Sequence, residues 1–298
     1  MEPPSTSATV PSTTGFAPRT VVVTGATSGI GLAVAKALRP RVARLALVGR
    51  NPKKLEDAVR AVSTEPGEGA VRGHVADLSL LADVRRLAAE LVDSYASLDV
   101  LVNNAGAYFA HLERTSEGIE RTLALNVLSP YLLTRLLHAP LRAAAPSRVV
   151  NVASAAHAGA RLVLDDLDRR APYRGLRSYG RSKLELVLLT HEFARRWAPE
   201  QIAVHALHPG FVHSDFAKNN TGPTARILRL LVAVFGISPE RGARTPVYVA
   251  TSPALEGTTG EYFARGRRLR SSGESYTEAG AHRLWDLCAE RVGLPADT

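Results

Sequence analysis

In the stretch Ser178-Tyr179-Gly180-Arg181-Ser182-Lys183-Leu184-Glu185-Leu186 a phenol and an ammonium stand four residues apart, and the apolar positions have helical spacing. That spacing stacks Tyr179 and Lys183 on one helical face. A nearby ammonium favours phenolate by charge attraction and pulls a tyrosine pKa down from its ordinary value of about 10. A tyrosine so placed can trade a proton with an alcohol or a carbonyl. Many chains carry Tyr-x-x-x-Lys by chance, so the weight of this pair comes from what precedes it.

Upstream, the β-branched run Thr20–Thr24 leads into Gly25-Ala26-Thr27-Ser28-Gly29-Ile30-Gly31 and then into Leu32-Ala-Val-Ala-Lys-Ala-Leu38. Glycines at such a strand-to-helix turn let the chain bend sharply and let backbone amides approach a pyrophosphate. The helix start adds unpaired amides and a positive dipole end. Gly25, Thr27, Ser28, Gly29, Ile30 and Gly31 are therefore candidate dinucleotide contacts, in a Gly-x-x-x-Gly-x-Gly spacing with Gly29 central. The next strand ends at Val48-Gly49-Arg50-Asn51, with no acid to receive ribose hydroxyls. The planar guanidinium of Arg50 suits a ribose phosphate. NADP(H) is expected over NAD(H); the plain alternative is a solvated arginine opening the next helix.

These motifs need a scaffold, and the hydrophobic pattern supplies one. Short apolar runs at Thr20–Thr24, Arg44–Val48, Ala70–Val75, Leu98–Val102, Arg148–Val152, Ile202–Leu207 and Glu261–Ala264 alternate with helical patterns at Ile30–Leu38, Pro52–Ser63, Leu80–Ser94, Ser116–Ala144, Tyr179–Ala198 and Pro239–Thr251. Strands apolar throughout and separated by helices are buried on both faces, which predicts an α/β fold: one parallel sheet with helices on both sides. Residues 1–18, rich in Pro, Ser and Thr, are expected to be a disordered tail. Residues 19–298 read as one domain.

With 298 residues, 45% of them hydrophobic, the chain can bury a sizeable core. The formal charge of +9 raises the question of nucleic acid, but the excess is spread along the chain and only five of its 37 basic residues are lysines. No nucleic-acid partner is expected. No apolar run approaches the roughly 20 residues of a membrane span, and no leader pattern opens the chain, so a cytoplasmic protein is expected. The single cysteine, Cys288, excludes an internal disulfide. No metal site is expected, since His205, His208 and His213 point different ways along a strand and a Pro-Gly turn.

Taken in order, Thr24-Gly-Ala-Thr-Ser-Gly-Ile-Gly31, Asp77-Leu78, Asn103-Asn-Ala-Gly106, Asn126, Ser154, Tyr179-Gly-Arg-Ser-Lys183 and His208-Pro-Gly210 resemble the short-chain dehydrogenases/reductases over residues 19–290. Val150-Asn-Val-Ala-Ser-Ala-Ala-His157 and Leu207-His-Pro-Gly-Phe-Val-His-Ser214 are similar to the branch holding retinol dehydrogenases and the WW-domain oxidoreductase. The resemblance implies a single-domain, Rossmann-type, doubly wound sheet of about seven strands. It implies Asp77 and Leu78 at the adenine, Asn103, Ala105 and Gly106 beside the adenosine ribose, and Pro209, Gly210 and Val212 near the nicotinamide. It implies a catalytic set of Asn126, Ser154, Tyr179 and Lys183: the tyrosine as acid and base, the serine on the substrate oxygen, the lysine lowering the tyrosine pKa and holding the nicotinamide ribose, the asparagine anchoring a water. Tyr108 and His157 would lie close to the reacting oxygen. Residues 213–238 would form a lid favouring a small hydrophobic carbonyl or alcohol, with interface or membrane-surface packing as competing readings. Relatives commonly assemble as homodimers or homotetramers through the helices expected at Ser116–Ala144 and Tyr179–Ala198. The rival functions are an NADP(H) sensor without turnover and a dehydratase or epimerase.

Overall fold

The computed structural model describes residues 19–169, 172–210 and 236–296. Tail residues 1–18, Val212 and nearly all of the expected lid lie outside them. One sheet has the strand order β3-β2-β1-β4-β5-β6-β7-β8. The first seven strands are parallel: β1 Thr20–Thr24, β2 Arg44–Gly49, β3 Ala70–Val75, β4 Val100–Asn103, β5 Ser147–Val152, β6 Ile202–His208 and β7 Tyr262–Ala264. An eighth strand, β8 Arg267–Leu269, folds back antiparallel on β7. The sequence pattern misses β8 because its three residues are all exposed and two are arginines, so no apolar run marks it.

Side chains alternate across the strands and divide the interior in two. Val21 and Val23 of β1, Leu45 and Leu47 of β2, and Val100 and Val102 of β4 pack on helices α1 Gly29–Leu38 and α2 Pro52–Ser63. Val22, Ala46 and Leu101 face the other way, onto α3 Leu81–Ser94 and the helices that follow β4 and β5. Burial on both faces holds for the central strands but not for β3, an edge strand where only His74 is buried. Strand order reverses between β1 and β4, which places a ligand crevice outside the carboxyl ends of these strands.

The single long helix expected over Ser116–Ala144 is broken. Gly118 takes a φ of +78°, Arg114 and Glu120 form an isolated bridge, and the helix starts only at α4 Arg121–Leu123, capped by the Glu120 carboxylate through the Thr122 and Leu123 amides at 2.8 Å each. A π turn, Ala124–Leu128, connects it to α5 Ser129–Leu136, and α6 His138–Ala143 follows. Pro130 explains the π turn: it has no N–H for the carbonyl of Asn126, and its ring crowds that carbonyl. Glu117, in the loop before α4, caps α3 from a distance through Leu81 and Ala82 at 2.7 and 2.9 Å.

The catalytic-motif helix α7, Gly175–Trp197, is buried along most of its length. Its outer face, where assembly was expected, is covered by the chain's own last helix: α8 Pro239–Thr251 packs on α1, whereas α9 Glu278–Val292 lies across α7 and α5. Trp285 of α9 is fully buried with Tyr131 and Phe193 at ring distances of 4.9 and 4.7 Å, and its Nε1 donates to Ala296 O at 2.8 Å. The guanidiniums of Arg135 and Arg196 flank its ring at 4.8 and 4.4 Å. Assembly through this face would require α9 to be displaced. Trp285→Ala is expected to cost about 3–5 kcal/mol, since it empties the centre of that aromatic cluster; urea unfolding of parent and variant measures it.

Candidate active site

The turn after β1 is shaped by close approaches that only glycine allows. Gly25 and Gly29 have φ of +64° and +52°, and a Cβ on Gly31 would lie 2.2 Å from Gly25 O. Asn104 ties this turn to β4: its Nδ2 donates to Thr24 O at 2.8 Å. Asn103 is committed inside the sheet instead, donating to Asn151 Oδ1 at 2.9 Å and Thr134 Oγ1 at 3.0 Å. No sequence signal separates the two asparagines; their alternation along the strand end decides it. Ser28 opens α1 with an exposed side chain that makes no capping bond. Thr27 packs on β2, where a Cβ on Gly49 would meet its methyl at 2.3 Å.

Leu78, Asn103 and Ala105 line one small cleft with Thr24. Arg50 and Asp77 meet above it as an exposed ion pair at 3.6 Å. Burial pushes the Asp77 carboxyl up, but hydrogen bonds from the Ser79 amide and hydroxyl at 3.0 and 2.7 Å, with the Arg50 charge, outweigh it and hold the group below its ordinary range. A glycine cradle, an open helix start and a guanidinium at the end of β2 fit an anionic dinucleotide.

Ser154 and Tyr179, 25 positions apart in the chain by their numbers, are joined by a side-chain hydrogen bond. Ser154 ends the extended chain after β5, and its Oγ accepts from Ala156 N at 3.2 Å, so its proton remains to be donated. Gly180 lets this turn rest on α7, since a Cβ there would stand 2.9 Å from Ala156 O. Tyr108 meets Tyr179 edge to face at 6.3 Å.

Lys183 is almost wholly buried, and its Nζ donates to Val152 O at 2.9 Å. The space beside it exists because residue 106 is glycine: a Cβ there would lie 3.0 Å from Lys183 Nζ and 3.2 Å from Asn126 Oδ1. Asn126, in the π turn, clamps Ala107 by both its amide and its carbonyl at 3.0 Å each. It also donates to Ser182 Oγ at 3.0 Å, and Ser182 Oγ donates to Tyr179 O at 2.8 Å, a link with no signal in the sequence.

The electrostatics differ from the expectation that Lys183 lowers the tyrosine pKa. Burial pushes the Tyr179 phenol up to about 12, opposed by the Ser154 hydrogen bond, and burial pulls Lys183 down to about 8. The reason is geometric: Nζ lies 5.8 Å from the Tyr179 ring centre and is turned to the Val152 carbonyl. The buried His157 ring bonds to Ser154 O at 2.7 Å and to Ser272 N at 3.2 Å. Pro209 and Gly210 follow β6, with Gly210 at φ +95° and its amide donating to His208 Nδ1 at 3.2 Å.

The far side of α7 carries a buried ionic cluster. Glu185 accepts from Arg181 Nε at 2.9 Å and from Arg169 Nη2 at 2.7 Å, and Arg169 Nε lies 3.3 Å from Glu120. Arg181 also donates to the Val163 and Asp166 carbonyls, so the segment after Ser154 is held to α7 and to the start of α4.

Comparison with known proteins agrees with this geometry. The family model described as short chain dehydrogenase matches residues 19–224. Human retinol dehydrogenase 11 is 34% identical over 279 residues, covering 94% of this chain and 87% of that protein. Human dehydrogenase/reductase SDR family member 13 is 38% identical over 281 residues, covering 93% of this chain and 74% of that protein. Among solved structures, an uncharacterised protein from Mycobacterium paratuberculosis superposes with a TM-score of 0.74 at 30% identity, covering 93% of this chain and 94% of its own. The Pseudomonas aeruginosa RhlG/NADP active-site complex gives a TM-score of 0.66 at 26% identity, covering 86% and 96%.

Gly106→Ala is expected to fold normally, because the atoms its methyl meets are the ends of flexible side chains, yet to push Lys183 Nζ off the Val152 carbonyl. A thermal midpoint close to the parent's, with turnover reduced about tenfold or more, is the expected result.

Proposed function

This chain belongs to the short-chain dehydrogenase/reductase family, in its retinol dehydrogenase branch, and from that premise we propose that it is an NADPH-dependent oxidoreductase interconverting a carbonyl and an alcohol on a lipophilic small molecule. The observation that carries the reading is the hydrogen-bonded pair of Ser154 and Tyr179 hydroxyls beside a buried Lys183, in a chain that also carries a glycine cradle after β1.

The nicotinamide cofactor, when bound, supplies or accepts the hydride. The chain's own residues handle the oxygen. Ser154 has one lone pair occupied by the Ala156 amide, so its single hydroxyl proton, given to Tyr179 in this structure, is available to a substrate oxygen that takes that place. Tyr179, its pKa pushed up by burial to about 12, is a phenol at pH 7. In reduction it is thus already charged with the proton that the developing alkoxide takes. Lys183, near pH 8, is mostly protonated at neutral pH and holds positive charge behind the phenol. Asn126 acts on the backbone of Ala107, keeping the wall of the lysine site in place.

NADPH over NADH is supported by Arg50, exposed at the end of β2 with only a long ion pair to Asp77, and by the free side chain of Ser28. The P. aeruginosa neighbour is an active-site complex with NADP. A lipophilic substrate suits the Tyr108 ring on Tyr179 and the exposed Leu112 and Leu176 at the rim, where the 108–110 backbone meets the start of α7. The relatives named for retinol point the same way. Residues 213–238 are the proposed lid, residues 19–298 the proposed single domain, and the cytoplasm the proposed compartment, which suits a lone, buried Cys288.

Following NADPH absorbance over a panel of aldehydes, ketones, retinoids and steroids tests the reading; tight NADPH binding with no turnover of any compound would overturn it. Tyr179→Phe is expected to remove nearly all turnover, by about 10²-fold or more, while NADPH still binds. Arg50→Asp is expected to weaken NADPH use by about tenfold or more and to spare NADH; equal efficiency of the parent with both cofactors would refute the NADPH preference.

A further inference from the structure

We propose that His157 is a positioning residue: it fixes the peptide of Ser154 against the catalytic helix and references it to the loop at Ser271–Tyr276, close to the C-terminus. The inference rests on the oxidoreductase reading above, because it assigns His157 a role through Ser154.

The turn that carries Ser154 rests its backbone on α7, where Gly180 leaves room for Ala156 O, but most of its side chains hold nothing. Residues Ala155–Gly159 form a short 3₁₀ turn, Ala-Ala-His-Ala-Gly, in which His157 is the one buried residue; the alanines and the glycine are exposed. Methyl groups facing water add no side-chain packing to define its place. His157 supplies it twice. Its backbone N–H donates to Ser154 O at 3.2 Å, and its ring Nδ1 donates to the same oxygen at 2.7 Å. A carbonyl only accepts, so Nδ1 carries the proton. On the other side Nε2 accepts from Ser272 N at 3.2 Å, so it carries none. Both bonds demand one neutral tautomer. The ring rests on Tyr262 at 4.9 Å.

The Ser272 loop is in turn built on α7. Ser275 O accepts from His191 Nδ1 at 2.8 Å, and inside the loop Ser275 Oγ bonds to Ser271 Oγ at 2.6 Å and donates to Ser272 O at 2.7 Å. The path Ser154–His157–Ser272–Ser275–His191 therefore closes on the same helix that bears Tyr179, three turns further along. Serine turn and tyrosine helix are referenced to one loop, which fixes the separation of the two hydroxyls.

Removing either end of the central bond tests the role. His157→Phe keeps the ring against Tyr262 and loses the bonds to Ser154 O and Ser272 N, together with the longer 3.4 Å bond between Nδ1 and Tyr262 Oη. Ser272→Pro deletes the amide donor and a hydroxyl that bonds to no described residue, and Ser272 already has a φ of −63°, which proline adopts. His157→Asn restores a donor near the Nδ1 position. We expect His157→Phe to lower kcat about tenfold or more with the Kd for NADPH unchanged, and His157→Asn to recover most of it. The double variant His157→Phe/Ser272→Pro should be no worse than His157→Phe alone, the non-additivity of partners in one bond. Losses that simply add, or a kcat for His157→Phe within about twofold of the parent, would overturn the positioning role while leaving the oxidoreductase reading intact. A parent that binds NADPH but turns over no compound would overturn that reading and this role together. Independently of activity, ¹⁵N shifts of the parent are expected to show His157 as the neutral Nδ1–H tautomer; the opposite tautomer would refute the geometry.

Discussion

An ammonium taken out of water must have its protons bonded and its charge tolerated, and the interior around Lys183 is organised to that end. The Val152 carbonyl at the end of β5 takes one proton, and residue 106 has no side chain to compete for the space. Asn126 could crowd the same space, but its amide is turned to the Ala107 backbone, and it stands there because Pro130 forces the helix into a wider turn. Burial still moves the group to about 8, within reach of neutral pH, and the same burial holds Tyr179 as a phenol. Desolvation, more than attraction between the two, sets their protonation in this chain.

Helix α7 carries two pairs at the same spacing, pointing opposite ways. Tyr179 and Lys183 face the crevice; Arg181 and Glu185, two positions on, face the interior and are bonded to each other at 2.9 Å. A step of two residues is about 200° around a helix. Buried ion clusters contribute little net stability against apolar replacements, but each charge tolerates only a matching partner. The cluster of Glu120, Arg169, Glu185 and Arg181 thus specifies how α7 is rotated about its axis, and that rotation aims Tyr179. Arg169, held at φ +54°, reaches both glutamates only with the segment after Ser154 in place.

Elements bounded by chemistry were legible in the sequence. Helix α2 begins where expected because Asn51 caps it through Lys54 N and Pro52 occupies its first turn; β1, β3 and α8 likewise have the expected ends. Ser154, Tyr179, Lys183 and Asn126 were singled out from ordered motifs, and the fold brings them near one another. What was not legible depends on distant partners. Nothing local announces that Glu117 caps α3 or that Glu120 starts α4, so the broken stretch read as one helix. The choice between Asn103 and Asn104 rests on which face of a strand end each takes. The Tyr179–Lys183 spacing is real, but whether four residues mean direct charge contact depends on a carbonyl that belongs to β5.

The last part of the chain is more than a closing cover. α9 is a helix in its own right, capped at Thr277 and ended by Gly293 at φ +63°, and its tryptophan locks it to α5 and α7. The segment between β8 and α9 is therefore strung between two fixed elements and cannot drift from the catalytic helix. In such an arrangement a single backbone amide, that of Ser272, can define where a five-residue turn on another strand sits, because the amide itself has no freedom to follow. A short turn of alanines that must hold a reacting hydroxyl in place gains its rigidity from residues more than 100 positions away by sequence number, which is why no reading of residues 150–160 alone shows what His157 does.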